Sequence, residues 1–249
     1  MTNTNTTDHQ STLTGDLLTL FWSLLGALSW LQQTRAYIAP FIGYLQRIAH
    51  EPNITHVKMA NKILRYVRRV KCGLRFTKLI PPLKMVTVAD SAYKSDDGLT
   101  ECIALRGYII LIVGQHATKN KGDSVSSSGH FPGGPCAVMD WVSKKFNVIT
   151  RSSFCAELRN QLEAAQSSIL LAAFLEENST AIGSALELMK LQDQGLLRTP
   201  IHLCGDNKGV FTAVSALNPK TPAEPTLTPH VKALRELVDS NMITVLVLG

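Results

Sequence analysis

The chain has little that would hold it together covalently. Its 249 residues include only five cysteines, Cys72, Cys102, Cys136, Cys155 and Cys204. The count is odd and no C-x-x-C pair occurs, so neither a disulfide scaffold nor a four-cysteine zinc knuckle is expected; the thiols read as free, in a reducing compartment. His116, His130 and Cys136 share a loop but lack a fourth ligand at metal spacing, which argues against zinc. Glycine (16) and proline (11) are too few and too scattered for a collagen or a low-complexity chain. There is no G-x-x-x-x-G-K-[ST] phosphate loop and no G-x-S-x-G nucleophile elbow. The Thr/Asn-rich start lacks the basic region of a secretory signal. The longest uncharged stretch, Leu17 to Thr34, has its apolar part end at Leu31, broken by Ser and Gly. A spanning helix needs about 20 mostly apolar residues. Leu17–Leu31 therefore reads as a packing helix, with a membrane role as the exception.

Acid is missing where base is abundant. From Pro52 to Ala89 there is no Asp or Glu, while Lys58, Lys62, Arg65, Arg68, Arg69, Lys71, Arg75, Lys78 and Lys84 fall in that span. The whole chain carries a net charge of +6, with 45% hydrophobic and 18% charged residues. That composition is globular, and an unbalanced basic stretch favours a polyanionic partner over a merely solvated face.

Residues 1–14 read as a disordered tail and 15–79 as helical. Leu17, Leu18, Phe21, Leu24, Leu25 and Leu28 recur at helical spacing, and a helix is expected from His56 to Val70, with Val57, Ala60, Leu64 and Val67 as its apolar stripe. Lys58, Lys62, Arg65 and Arg69 repeat at the same period on an adjacent face. Ile80-Pro81-Pro82 marks a boundary. Beyond it the pattern predicts strands at Leu83–Ala89, Leu105–Val113 and Ala137–Val142, a long polar loop at Gln115–Pro135, a helix at Ser153–Glu177, a short strand at Ile201–Cys204, a helix capped by Asp206 and running through Leu217, a helix at His230–Asp239 and a last strand at Met242–Leu248. This order specifies an α/β sheet covered by helices.

Three carboxylates stand out by position. Asp90 is expected to end the first strand and Asp206 the fourth, where open α/β sheets bind ligands. Glu157 flanks the apolar stripe of the long helix. Three converging acids repel one another unless a cation sits among them, and oxygen ligands select Mg²⁺ or Mn²⁺. The alternative is that they are ordinary turn and cap acids.

Longer motifs sharpen this. Gly26-Ala27-Leu28, Thr34-Arg35-Ala36-Tyr37-Ile38, His56, Ile63-Leu64-Arg65-Tyr66 and Gly73-Leu74 resemble the end of a copia-type retrotransposon reverse transcriptase. Ala89-Asp90-Ser91-Ala92-Tyr93, Trp141-Val142-Ser143-Lys144-Lys145, Ser152-Ser153-Phe154-Cys155-Ala156-Glu157 and Asp206-Asn207 resemble motifs of that family's ribonuclease H domain, in the family's order. The resemblance covers residues 20 to 249. It implies a ribonuclease H-like mixed sheet with covering helices at 80–249, preceded by a helical remnant of the reverse transcriptase at 15–79. It implies that Asp90, Glu157 and Asp206 bind Mg²⁺ or Mn²⁺ and cut the RNA strand of an RNA–DNA hybrid. Lys144, Lys145 and Asn207 would lie near phosphates, as would Lys58, Lys62, Arg65 and Arg69. The remainder of a Pol polyprotein would be a partner, and the location a retroelement particle in the cytoplasm, or the nucleus.

The departures carry expectations too. Arg-Pro-Asp is altered at Ala36-Tyr37, the polymerase's Tyr-x-Asp-Asp strand is absent, and the Gln115–Pro135 loop is longer than the family hairpin. The family has a fourth acid after its last strand, whereas this chain stops at Gly249, and Asp239 is a poor substitute. A site short of one acid would cut slowly, and the alternative reading is a nucleic-acid-binding remnant of a degraded element.

Overall fold

The structure is a computed structural model that describes residues 11–94, 103–115, 135–180, 184–217 and 222–248. Most of the polar loop expected at Gln115–Pro135, with His116 and His130, lies outside the described residues, as do residues 1–10 of the expected tail. The chain divides into two compact units, one through Arg75 that also takes in Ser143–Lys145, and one from Phe76 onward.

The first unit is helical. Helix α1 (Gly15–Leu31) precedes a 3-10 turn (Ala36–Ile38), α2 (Ala39–Arg47) and α3 (Ile54–Arg69). The leucine period of α1 is real: Phe21, Leu25 and Leu28 are buried and pack with Ile38, Ile42 and Leu45 of the next elements and Val57, Ala60, Ile63 and Val67 of α3. Among the described residues no helix is long and apolar enough to cross a membrane. The chain is fixed before α1 begins, because Leu13 is buried and its N–H donates to the Pro52 carbonyl at 2.7 Å; the tail expected through residue 14 is not loose to its end. Helix α3 starts two residues earlier than the periodicity indicates because Asn53 and His56 form a reciprocal cap. The Asn53 side chain accepts from the Thr55 and His56 N–H groups, and His56 Nδ1 accepts from the Asn53 N–H. Residues 70–79 are not helical. They follow the helix as a strap gripped by Arg35, whose guanidinium donates to Tyr37 Oη and to the carbonyls of Val70 and Cys72.

The second unit is a five-stranded sheet in the order β3-β2-β1-β4-β5, built from β1 (Ile80–Lys94), β2 (Ile103–Gln115), β3 (Cys136–Lys145), β4 (Ile201–Gly205) and β5 (Ile243–Val247). β1 pairs with β2 antiparallel and with β4 parallel, and β4 pairs with β5 parallel. The expected mixed sheet with covering helices is present. Helix α4 (Ser153–Ser179) lies on the sheet, joined by α5 (Ala185–Asp193), α6 (Lys208–Ser215) and α7 (Thr228–Asp239). Met85, Ala89, Ile110, Leu158, Ala165, Ile169, Ala172, Leu203, Val210 and Leu234 make one continuous core.

Two boundaries differ in ways that matter. β1 does not end at Asp90. The long apolar β2 supplies partners as far as Lys94↔Ile103, so Asp90 sits inside the strand opposite Gly107. On its other side β1 pairs with β4 only through Val88↔Cys204, so Asp90 stands past the end of that ladder. Nor does Asp206 cap α6. Asn207 does, its Oδ1 accepting from the Val210 N–H at 3.1 Å, which leaves the Asp206 carboxylate to face elsewhere. Helix α5 is not anticipated by the sequence reading, and none of its residues is buried, its apolar Leu186 and Met189 included.

Helix α4 offers a direct check of this packing. Leu158 is 0% exposed and Leu170 is 72% exposed. Leu158→Ala is expected to destabilise the second unit by about 2–5 kcal/mol, and Leu170→Ala by less than about 0.5 kcal/mol. Chemical denaturation of the two variants reads the difference.

Candidate metal centre

Three elements deliver one carboxylate each to a common point. Asp90 comes from β1 where β4 has stopped pairing. Asp206 follows Gly205, the last residue of β4, before Asn207 turns the chain into α6. Glu157 comes from α4, whose start is fixed by the Ser152 hydroxyl accepting from the Cys155 N–H at 3.1 Å. One carboxylate oxygen from each of the three lies within 4.8 Å of the others.

The acids differ in setting. Asp90 and Asp206 are exposed, whereas Glu157 is 5% exposed. Glu157 Oε1 accepts from the Ser91 N–H at 3.0 Å, and Oε2 is buried with no hydrogen-bond partner. Burial raises the Glu157 pKa above the ordinary carboxylate value; the Ser91 hydrogen bond opposes the rise, and the neighbouring charges of Asp90 and Asp206 add to it. Among the described residues none of the three acids forms an ion pair with Lys, Arg or His. A buried carboxylate oxygen without a donor, beside two more acids without a cationic partner, is a donor set that fits a hard divalent cation. Asp90, Glu157 and Asp206 are the residues that would hold it.

The support beneath these acids is not evident from the sequence. Asn160, fully buried, donates through Nδ2 to the carbonyl of Asp90 at 2.8 Å and to that of Gly107 at 2.9 Å, clamping β1 and β2 where the acid sits. Gln161, also buried, fills the space over Gly205; a Cβ at Gly205 would collide with Gln161 Nε2. One turn after Gln161 comes Ala164, and one turn further Ser168 bonds Thr87 at 2.5 Å across the same interface. The signal was available as a helical step of three and four from Glu157, but a polar residue on a buried face reads as surface until the sheet is known.

The other expected site residues are placed as follows in the fold. Asn207 is half-buried and engaged as the α6 cap. Lys144 and Lys145 are exposed at the end of β3, two strands from β1. In the first unit, Lys58, Lys62, Arg65 and Arg69 are all exposed along α3, and among the described residues none is in an ion pair; the Arg69 guanidinium lies over the Tyr66 ring at 6.0 Å. Asp239, the weak stand-in for a fourth acid, pairs instead with Arg235 at 3.4 Å.

Solved structures that resemble part of the chain include two ribonucleases H1. Ribonuclease H1 from the halophilic archaeon Halobacterium salinarum NRC-1 is 14% identical over 67% of this chain and 86% of that one, with a TM-score of 0.37. LC11 ribonuclease H1 in complex with an RNA/DNA hybrid is 11% identical over the same shares, with a TM-score of 0.37. No protein-family model and no curated protein matches the chain.

The raised pKa has a sign that can be tested. Because Glu157 takes up its proton more readily folded than unfolded, the folded state loses stability as pH rises through the raised value. Glu157→Gln keeps an acceptor for the Ser91 N–H and removes the charge. In metal-free buffer it is expected to melt like the parent below about pH 4.5, where both forms are neutral. At pH 7 it should melt higher, by about 2–4 °C for each kcal/mol regained. Equal melting temperatures at both pH values would show that the carboxylate is not strained by its burial.

Proposed function

We propose that this chain hydrolyses the RNA strand of RNA–DNA hybrids at a site formed by Asp90, Glu157 and Asp206, with Mg²⁺ or Mn²⁺ as the cofactor. The observation that carries the reading is the convergence of the three acids, each from the motif whose resemblance implied it, with a buried Glu157 oxygen that no donor among the described residues satisfies. When bound, divalent cations at such a site activate a water and stabilise the leaving oxygen of a phosphodiester. The protein's part is positioning. The Ser91 N–H holds one Glu157 oxygen and so aims the other. Asn160 fixes the backbone that carries Asp90, and the missing side chain at Gly205 lets α4 approach β4 closely enough for Glu157 and Asp206 to meet.

The copia-type retroelement origin belongs to the same proposal, with the remainder of a Pol polyprotein as partner and a retroelement particle or the nucleus as location. What supports it is the run of spaced motifs across residues 20 to 249. The exposed bases of α3 suit the phosphates of the hybrid, since backbone charge supplies sequence-independent affinity.

Two measurements test the reading. A labelled hybrid incubated with the chain should lose its RNA strand in Mg²⁺ or Mn²⁺ and stay intact in EDTA. Asp90→Asn should lower the rate by at least about a hundredfold while leaving hybrid binding in place. Binding without cleavage in either metal would favour the alternative, a nucleic-acid-binding remnant. Separately, reversing the charge of Lys58, Lys62, Arg65 and Arg69 should weaken binding to hybrids of every sequence alike. The log–log salt dependence should flatten by about 0.9 for each phosphate that is no longer neutralised; an unchanged slope would assign the α3 face to protein packing.

A further inference from the structure

A second cluster of polar groups lies on the outer side of α4 and is not used by the acids. Arg106 of β2, Arg159 of α4 and His230 of α7 line one cavity of about 490 Å³, with Phe146, Leu162 and Glu163 among its other walls. A water in bulk liquid occupies about 30 Å³, so the space admits a polyatomic ligand. Its polar groups are incompletely used. Arg106 Nε, Arg159 Nε and His230 Nδ1 are all buried and, among the described residues, have no hydrogen-bond partner. Arg106 is held in place by an ion pair from Nη1 to Glu163 and by the Phe146 ring, 5.6 Å from its guanidinium carbon. Arg159 has no carboxylate partner among the described residues. One carboxylate, Glu163, therefore faces two guanidinium groups, which leaves a net positive cavity even with His230 neutral.

Buried donors left without acceptors carry a cost of about 1–3 kcal/mol each, more when charged, and two guanidinium Nε–H groups of this kind on one cavity, beside an unpartnered His230 Nδ1, indicate a missing common partner. We propose that this cavity is a binding site for a phosphate group. The polar lining is contributed by β2, α4 and α7. That suits a tetrahedral oxyanion better than a planar carboxylate, with His230 donating in the form that carries its proton on Nδ1. The phosphate has two possible sources, a free small-molecule phosphate or the backbone of a bound nucleic acid. The second is geometrically natural, because Arg106 is the cross-strand partner of Ser91, whose N–H holds Glu157. The site itself does not depend on the metal-centre reading, since it can be probed with no metal and no cleavage.

The test uses the full chain in metal-free buffer with inorganic phosphate as the probe, followed by ³¹P NMR and calorimetry. Saturable binding is expected, weakened about tenfold or more in both Arg159→Gln and His230→Gln, with circular dichroism confirming that each variant is folded. If one variant fails to fold, the other decides. Adding an RNA–DNA hybrid separates the sources. Displacement of the bound phosphate, with weaker hybrid binding by Arg159→Gln, places a backbone phosphate in the cavity. Simultaneous binding assigns it to a free phosphate. No saturable binding to the parent chain, or equal affinity in the folded variants, overturns the proposal.

Discussion

The burial of one carboxylate governs the arrangement of the second unit. Glu157 is carried against the sheet by α4, and there it meets the Ser91 N–H of β1 on one oxygen and, among the described residues, no donor on the other. An ionised group in that position is tolerated only if its surroundings are rigid and its charge is answered. The rigidity comes from the rest of the α4 seam. Asn160 ties the carbonyls of Asp90 and Gly107, Gln161 closes over Gly205, and Ser168 bonds Thr87 two turns further along. A polar seam of this kind fixes the register of helix on strand, which apolar contact alone leaves free to slide.

Among the described residues no Lys, Arg or His answers that charge. Asp90 and Asp206 stand beside Glu157 and worsen its position, pushing its pKa in the same direction as burial does. Three acids arranged this way cost stability in the protein alone, a pattern met at functional sites far more often than in structural ones. The backbone serves the arrangement as well. β4 stops pairing with β1 at Val88, short of Asp90, and Asn207 takes over the capping of α6, so that neither aspartate is consumed by secondary structure.

Positive charge occurs in two different settings. The bases of α3 line an exposed helix, where salt screens them and only a polyanion would engage several at once. Arg106 and Arg159 are instead drawn into a cavity with His230, where each guanidinium keeps a buried Nε without an acceptor. The first arrangement suits diffuse, sequence-independent attraction and the second suits one defined group.

Much of this was legible in the residues. Periodicity located α1, α3 and α4, because each buries one stripe of a helix and the stripe shows at a spacing of three and four. The apolar runs located the strands, and the spaced motifs singled out Asp90, Glu157 and Asp206. Other features were not legible, for identifiable reasons. The length of β1 depends on a partner, β2, that offers ladder positions as far as Lys94. The α6 cap depends on which of two adjacent residues, Asp206 or Asn207, turns its side chain back, and either type can do so. Helix α5 buries none of its residues, so its apolar positions mark no core face. Asn160, Gln161 and the Arg106–Arg159–His230 cavity gather residues from segments far apart in the chain, and each taken singly looks like an ordinary polar surface position. Local periodicity and residue identity are enough to set the elements and the chemical types available in them. Which polar groups are buried together, and which are left without a partner, follows only from the packing of helices on the sheet, because burial is a property of the assembled layers and not of any one segment.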